Sequence, residues 1–302
     1  MTAAASRVPL SVLDLVPRSE GMTPAEAIAA SRTYAERLDE LGYHRLWIAE
    51  HHNTSAFVSS APDLLMMHIL DATDRIRVGS GGVMAMHYGS LQMAERFATL
   101  ATLHPGRVDM GLGRAPGGDM RAAAALNQGR VIDPDAINAL IEETVALLRD
   151  ELPATHPYAS VEVRPLPAQM PEVWLLGSSG QSAAWAGAHD LNYAYAQFFT
   201  GHQSTGIMDH YRAHLADGFP GRTLSAVCVS AAPTRQEALD QSLMAANFRV
   251  SLGTGRPVAF VTASQMDADT RSLLTNYVLS NEDTIFVGDY DEVADKLTAF
   301  QD

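Results

Sequence analysis

Short apolar runs alternate with amphipathic helices along most of this chain, and that alternation constrains the fold more than any other feature. A strand, a helix and a second strand in one sheet make a parallel pair joined by a right-handed crossover. The runs read as strands are Pro9–Leu15, Arg45–His52, Ile76–Met84, Val108–Arg114, Val173–Ser178, Asn192–Phe198 and Leu224–Ala231. They predict an α/β chain, a TIM-type (β/α)8 barrel formed by residues 1–302 as one domain. Insertions are expected near residues 115–171 and 253–281.

The helices between the strands carry their own signals. Thr23, Pro24 and Glu26 form a capping box with proline at the first helical position, and Gly42 stops that helix. Further helices are expected at Ser60–Ala72 and Ser90–Leu103. Asp133 and Pro134 open another, whose stripe Ile137, Leu140, Ile141, Thr144, Leu147 and Leu148 has core spacing. Pro153–Pro171 carries five prolines and reads as a loop with a small hairpin. Thr234 with Glu237, and Asp289 with Glu292, look like two more capping pairs, the second opening a helix to Phe300. Residues 253–281 are mixed in character and could form a mobile lid.

Composition narrows the class. The 302 residues are 47% hydrophobic and 19% charged, an ordinary globular balance. The net charge is −14, from 35 acidic and 21 basic residues. No basic stripe is present, which argues against nucleic acid and against an anionic membrane surface as partners. The N-terminal residues lack a signal-peptide core, and no apolar run approaches the ~20 residues of a membrane span. The single cysteine, Cys228, reads as a small core residue and permits no internal disulfide, so a cytoplasmic location is expected.

Chemistry is expected at strand C-terminal ends, which form a barrel mouth. Glu50-His51-His52 ends the second strand. Alternate strand residues face opposite ways, so one histidine faces the mouth and the other supports it. A metal site would need further ligands, for which His87 and His104 are the candidates. The third strand carries Gly79, Gly81 and Gly82, which fits either a flat ligand against main chain or a bulge. Arg114 ends the fourth strand and suits a phosphate, although a surface ion pair is the commoner fate of a lone arginine. Ser178, Ser179, Gly180 and Gln181 lead into a helix, as an anion site or as plain N-caps. Tyr88, Tyr195, Phe198 and Phe199 would make an apolar pocket if they are not packing.

Residues 41–53, Ile76–Met84, His104–Gly117 and Gly177–Gln181 together resemble the bacterial-luciferase-like flavin-dependent monooxygenases, the luciferase-like oxidoreductases. The resemblance implies a barrel holding FMN at its strand ends, with His51 as the active-site histidine. It implies that Arg114 and the Ser178–Gln181 turn hold the phosphate. Ser80, Gly81 and Gly82 would lie at the flavin ring, where the family often has a non-proline cis bond between the residues matching Gly81 and Gly82. The implied reaction uses reduced FMN as co-substrate, supplied by a separate flavin reductase, and O2 to oxygenate a small organic substrate.

The resemblance leaves other readings open: a non-catalytic flavin-binding relative, a deazaflavin-dependent oxidoreductase or, from the histidines, a metal-dependent barrel hydrolase. Two departures stand out. The stretch Met84–Ser90 lacks the family's proline-bearing loop. The family also usually continues past the helix matching Glu292–Phe300, so the barrel is expected to lack its final strand and helix. The family pairs through the helices Ser60–Ala72 and Ser90–Leu103, whose Leu64, Leu65, Met66, Met67, Met93, Phe97 and Leu100 predict a homodimer.

Overall fold

The computed structural model describes residues 8–130, 133–199, 204, 206–253 and 260–300. Its main sheet is parallel throughout. The strands β1 (Ser11–Asp14), β2 (Arg45–Ile48), β3 (Arg77–Ser80), β4 (Val83–Met84), β5 (Val108–Gly113), β6 (Glu172–Gly177), β7 (Asn192–Tyr195) and β8 (Thr223–Ser225) run in the order β1-β2-β3-β5-β6-β7-β8, with β4 also on β5. Two more strands, β9 (Cys228–Ala232) and β10 (Ile285–Asp289), form a second parallel ladder. The helices of the first half are α1 (Pro24–Glu40), α2 (Pro62–Leu70), α3 (Ser90–Leu103), α4 (Met120–Leu126) and α5 (Pro134–Arg149). Those of the second half are α6 (Gly180–Ala188), α7 (Gly206–Arg212), α8 (Arg235–Gly253), α9 (Ala268–Leu279) and α10 (Tyr290–Ala299).

The architecture is an incomplete (β/α)8 barrel, since β10 pairs with β9 and no ladder joins it to β1 among the described residues. The barrel is incomplete as expected: Ile285–Asp289 is a strand that the sequence did not reveal, it pairs with β9 in a separate ladder, and α10 follows it. The short run Ile-Phe-Val-Gly carries little periodicity of its own, and its strand character comes from the register with β9. The seventh predicted strand is split for a related reason. Ala226 donates to the Tyr195 carbonyl at 2.8 Å, whereas Cys228 donates to the Thr284 carbonyl at 3.1 Å. One run thus serves first β7 and then β10.

Period-two alternation sorts the strand residues between two cores. Leu46 and Ile48 are fully buried on the helix side, with Val78, Met110, Leu112 and Leu175. Trp47 points the other way, into the lumen, and meets Trp174 edge-on at 5.5 Å. The lumen is closed at the strand N-terminal end by Asp109, fully buried, which accepts from Arg45 Nε, Trp47 Nε1 and Arg77 Nε, each at 2.9 Å. A satisfied charge cluster of this kind leaves the opposite end for the site.

The caps fall where the sequence placed them. Thr23 and Glu26 make a reciprocal capping box, Gly42 has φ +78°, and Asp289 with Glu292 caps α10. The segment Pro153–Pro171 holds neither helix nor strand, so the expected hairpin is absent. The helix α4 was not anticipated, because its Met-Arg-Ala-Ala-Ala-Ala-Leu sequence has no apolar stripe. In the mixed segment 253–281, α9 is a regular helix capped by Asp267, and residues 254–259 lie outside the described residues. No helix among the described residues is long and apolar enough to cross a membrane. Of the seven residues behind the dimer expectation, Met66, Met93, Phe97 and Leu100 are buried within the chain, Leu65 and Met67 are half-buried, and Leu64 is 68% exposed.

Candidate active site

Because the strands are parallel, the segments after β2, β3, β5 and β6 open at one end. They carry the Glu50–His52 stretch, the glycine pair, Arg114 and the serine turn. Strand β2 ends at Ile48, four residues short of the predicted end at His52. His51 is instead held by its backbone, which donates to the Ser59 carbonyl at 3.1 Å. The His51 ring lies 4.5 Å from Phe57, and Phe57 in turn meets Phe248 and Phe260. The buried Nδ1 of His51 has no hydrogen-bond partner. Burial, with the neighbouring His52 adding to it, drives the His51 imidazole down to about 4. His51 is therefore neutral near pH 7, a hydrogen-bond partner or base and not a stored acid.

His52 is turned elsewhere. Its Nε2 lies 2.7 Å from Glu50 Oε1, and its ring meets His87 edge-on at 5.5 Å. His87 Nε2 is 2.8 Å from the Pro116 carbonyl, and its Nδ1 is 3.3 Å from Asn127 Oδ1. The two adjacent histidines thus part, His51 against Phe57 and His52 on Glu50. No group of three His, Cys, Asp or Glu side chains is arranged to hold a metal ion among the described residues.

The peptide between Gly81 and Gly82 is cis, as the family likeness implied. A side chain at Gly79 would meet Trp47 and Asp109 at 2.6–2.7 Å, and one at Gly81 would meet Leu13 and Trp47 at 2.5–2.9 Å. At Gly82 it would meet the β5 backbone at 2.9 Å. Protein packing therefore accounts for all three glycines, without a ligand. Ser80, expected to contact a cofactor, is fully buried. Its hydroxyl donates to the Gly111 carbonyl at 2.8 Å and accepts the Gly111 N–H at 3.0 Å, so Ser80 is a stitch between β3 and β5.

Arg114 leaves the end of β5 half-buried, and no carboxylate pairs with it among the described residues. Among the described residues its Nη1 donates to Asn138 Oδ1 at 3.4 Å. The commoner fate of a lone arginine, an ion pair, is not met. The guanidinium instead exerts its charge on the Tyr193 phenol. That phenol lies 3.0 Å from Ser182 Oγ and 3.3 Å from the Ser179 carbonyl, at the start of α6. Arg114 is therefore near enough to Tyr193, which bonds to the start of α6, to act on it by charge, while its hydrogen bond goes to α5. Ser179 is the N-cap of α6, accepting the Ser182 N–H at 3.2 Å, while Ser178 and Gln181 are exposed. Capping and anion binding coexist here, because a cap satisfies only part of a helix N-terminus. Gly177 is required by packing, since a side chain there would meet Ser182 Oγ at 2.3 Å.

The remaining expected contacts divide. Tyr195 is 1% exposed on the helix side, which removes it from the pocket, and Phe199 is 71% exposed. Cys228 is half-buried beside Arg249, whose Nη1 is 3.1 Å from Sγ. Three residues without a predicted role are important here. Glu50, Phe57 and Asp109 each sit where a strand end or the lumen needs a specific partner. For Glu50 the signal was present, an acid directly after an apolar strand.

A strand-end mouth on a parallel (β/α) sheet, with a neutral histidine after one strand and an arginine without a carboxylate partner among the described residues after another, is the place where barrel enzymes carry their chemistry. The family described as luciferase-like monooxygenase matches residues 9–302. An N-acetyl-S-alkylcysteine monooxygenase of Bacillus subtilis (strain 168) is 34% identical over 294 residues, covering 96% of this chain and 87% of that protein. A luciferase-like monooxygenase of Escherichia coli (strain K12) is 40% identical over 194 residues, covering 64% of this chain and 56% of that protein. Among solved structures, apo-MsnO8 superposes with a TM-score of 0.85 at 33% identity, covering 97% of this chain and 89% of that one. The chain belongs to the luciferase-like monooxygenase family, and its relatives of known name are enzymes.

Proposed function

We propose that this protein is an FMN-dependent monooxygenase that takes reduced FMN from a separate reductase and oxygenates a small organic substrate with O2. The observation that supports this reading is the half-buried Arg114 guanidinium, paired with no carboxylate among the described residues and close enough to act by charge on Tyr193, which bonds to the start of α6. That donor set fits a phosphate: a charged fork, exposed N–H groups and the positive end of a helix dipole. Bound reduced FMN would supply the electrons that activate O2.

The chain's own residues do the rest. Arg114, Ser178, Ser179, Gly180 and Gln181 would bind the phosphate, and the Gly81–Gly82 strand end would border the ring. Phe57, 6% exposed, and its aromatic neighbours would exclude water around His51. Nδ1 of His51 is the atom able to accept a hydrogen bond or a proton. The N-acetyl-S-alkylcysteine relative makes S-alkylated cysteine derivatives the first substrates to try.

The test is incubation of the protein with FMN, NADH, a flavin reductase, ¹⁸O2 and N-acetyl-S-benzylcysteine, read by mass spectrometry. A product carrying one ¹⁸O atom, absent without the protein, is expected. No labelled product across a panel of small organic substrates, with tight flavin binding, would replace this reading by a flavin-binding protein without turnover. Binding of deazaflavin in place of FMN would move the assignment to a deazaflavin oxidoreductase.

A further inference from the structure

Glu50 has no assigned part in the chemistry above, yet it lies just past the end of β2, beside the two histidines. It is fully buried, and among the described residues no lysine or arginine pairs with it. Its carboxylate collects donors from three places. Oε2 accepts the Met84 N–H at 2.8 Å. Oε1 accepts the Tyr88 hydroxyl at 3.1 Å and lies 2.7 Å from His52 Nε2. Met84 belongs to the short strand that follows Gly82, and Tyr88 ends the helical turn after it. The backbone packs as tightly. A side chain at Gly117 would meet the Glu50 carbonyl at 2.9 Å, and one at Gly118 would meet the His52 carbonyl at 2.8 Å.

We propose that Glu50 is a positioning residue: it locks the ends of β2 and β4 together and fixes the ring proton of His52 on Nε2, which sets where His51 stands. The chemical reason is that a carboxylate only accepts hydrogen bonds, so the ring nitrogen facing it must carry hydrogen. A glutamine at this position keeps the shape and loses that rule. Its amide oxygen can take the Met84 N–H, but its NH2 then faces His52 Nε2 and requires that nitrogen to accept. The ring proton moves to Nδ1. A buried carboxylate with three donors from separate segments also holds those segments in one arrangement, as hydrogen-bonded supports do around other sites. Only the consequence for turnover rests on the flavin reading; the tautomer does not.

The experiment compares wild type with Glu50→Gln. Long-range ¹H–¹⁵N spectra of histidine-labelled protein without flavin give the His52 tautomer, thermal unfolding gives the fold, and formation of ¹⁸O-labelled product with FMN, NADH and a flavin reductase gives limiting rate and KM. The expected result is Nε2–H in wild type and Nδ1–H in the variant, with a cooperative unfolding transition kept. The limiting rate should fall about 100-fold while KM for FMN moves less than about threefold, as for a misplaced catalytic group. An Nδ1–H tautomer in wild type, or an unchanged tautomer and rate in the variant, overturns the proposal.

If Glu50→Gln does not fold, His52→Gln and His52→Leu decide the matter. The glutamine can still donate to Glu50 and should keep the rate within about threefold, while the leucine should lose it; equal rates overturn the proposal. A wild type that neither binds reduced FMN nor forms ¹⁸O-labelled product refutes the flavin reading, and the tautomer measurement still decides the Glu50–His52 pair.

Discussion

His51 and Phe57 stand with ring centroids 4.5 Å apart, and the His51 Nδ1 buried beside that contact has no hydrogen-bond partner. An imidazole so placed is held neutral, with its value pushed down to about 4 by burial. In the unfolded chain it titrates near its ordinary value of about 6.5. Between those limits the unfolded state binds the extra proton, so stability falls as pH falls. Relative to His51→Phe, which keeps the ring and removes the titration, wild type should lose about 3 kcal/mol between pH 7 and pH 4. Urea unfolding across that range measures it. Parallel pH profiles for the two proteins would show that His51 is not buried neutral.

The lumen cluster supports a prediction about stability alone. Asp109 is fully buried and accepts from Arg45, Arg77 and Trp47. Asp109→Ala leaves two guanidinium groups short of a partner. Removing one member of a buried charge cluster costs about 3–5 kcal/mol. Thermal unfolding should show a large fall in the midpoint. An unchanged midpoint would mean that water replaces the carboxylate at no cost.

Gly111 tests the packing of β5 on β3. A side chain there would stand 2.0 Å from the Ser80 carbonyl, a backbone atom that cannot swing away. Gly111→Ala should therefore destabilise by about 1–3 kcal/mol or more. Gly89→Ala, at a glycine with open space, is the control and should change little. Equal midpoints for the two variants would contradict the strand register described here.

Much of the fold was legible because parallel barrels repeat one rule. Each strand is an apolar run, each helix has a stripe and caps, and Thr23, Asp133, Ser179 and Asp289 cap the helices that follow them. What was not legible depends on partners distant in sequence. Ile285–Asp289 becomes a strand only beside β9, and the seventh strand splits because two ladders compete for it. At the site, Arg114, His51 and the serine turn were visible as strand-end residues of unusual type. Ser80 came into the site through the resemblance alone, and only the register shows its hydrogen bonds to Gly111. Gly79 and Gly81 likewise answer to Trp47, which in the sequence is one more apolar strand residue. Glu50 stood in the opening motif, but its three donors come from 34 and 38 residues further along and from its near neighbour His52.

The central claim is that Arg114 and the turn before α6 bind the phosphate of FMN. The most direct measurement is a calorimetric titration of wild type and Arg114→Ala with reduced FMN and with reduced riboflavin under anaerobic conditions. Wild type should prefer FMN, and the variant should lose about 10- to 100-fold in FMN affinity with riboflavin affinity unchanged, the worth of a charge-assisted contact. Equal FMN affinities for wild type and variant, or a wild type indifferent to the phosphate, would contradict the account.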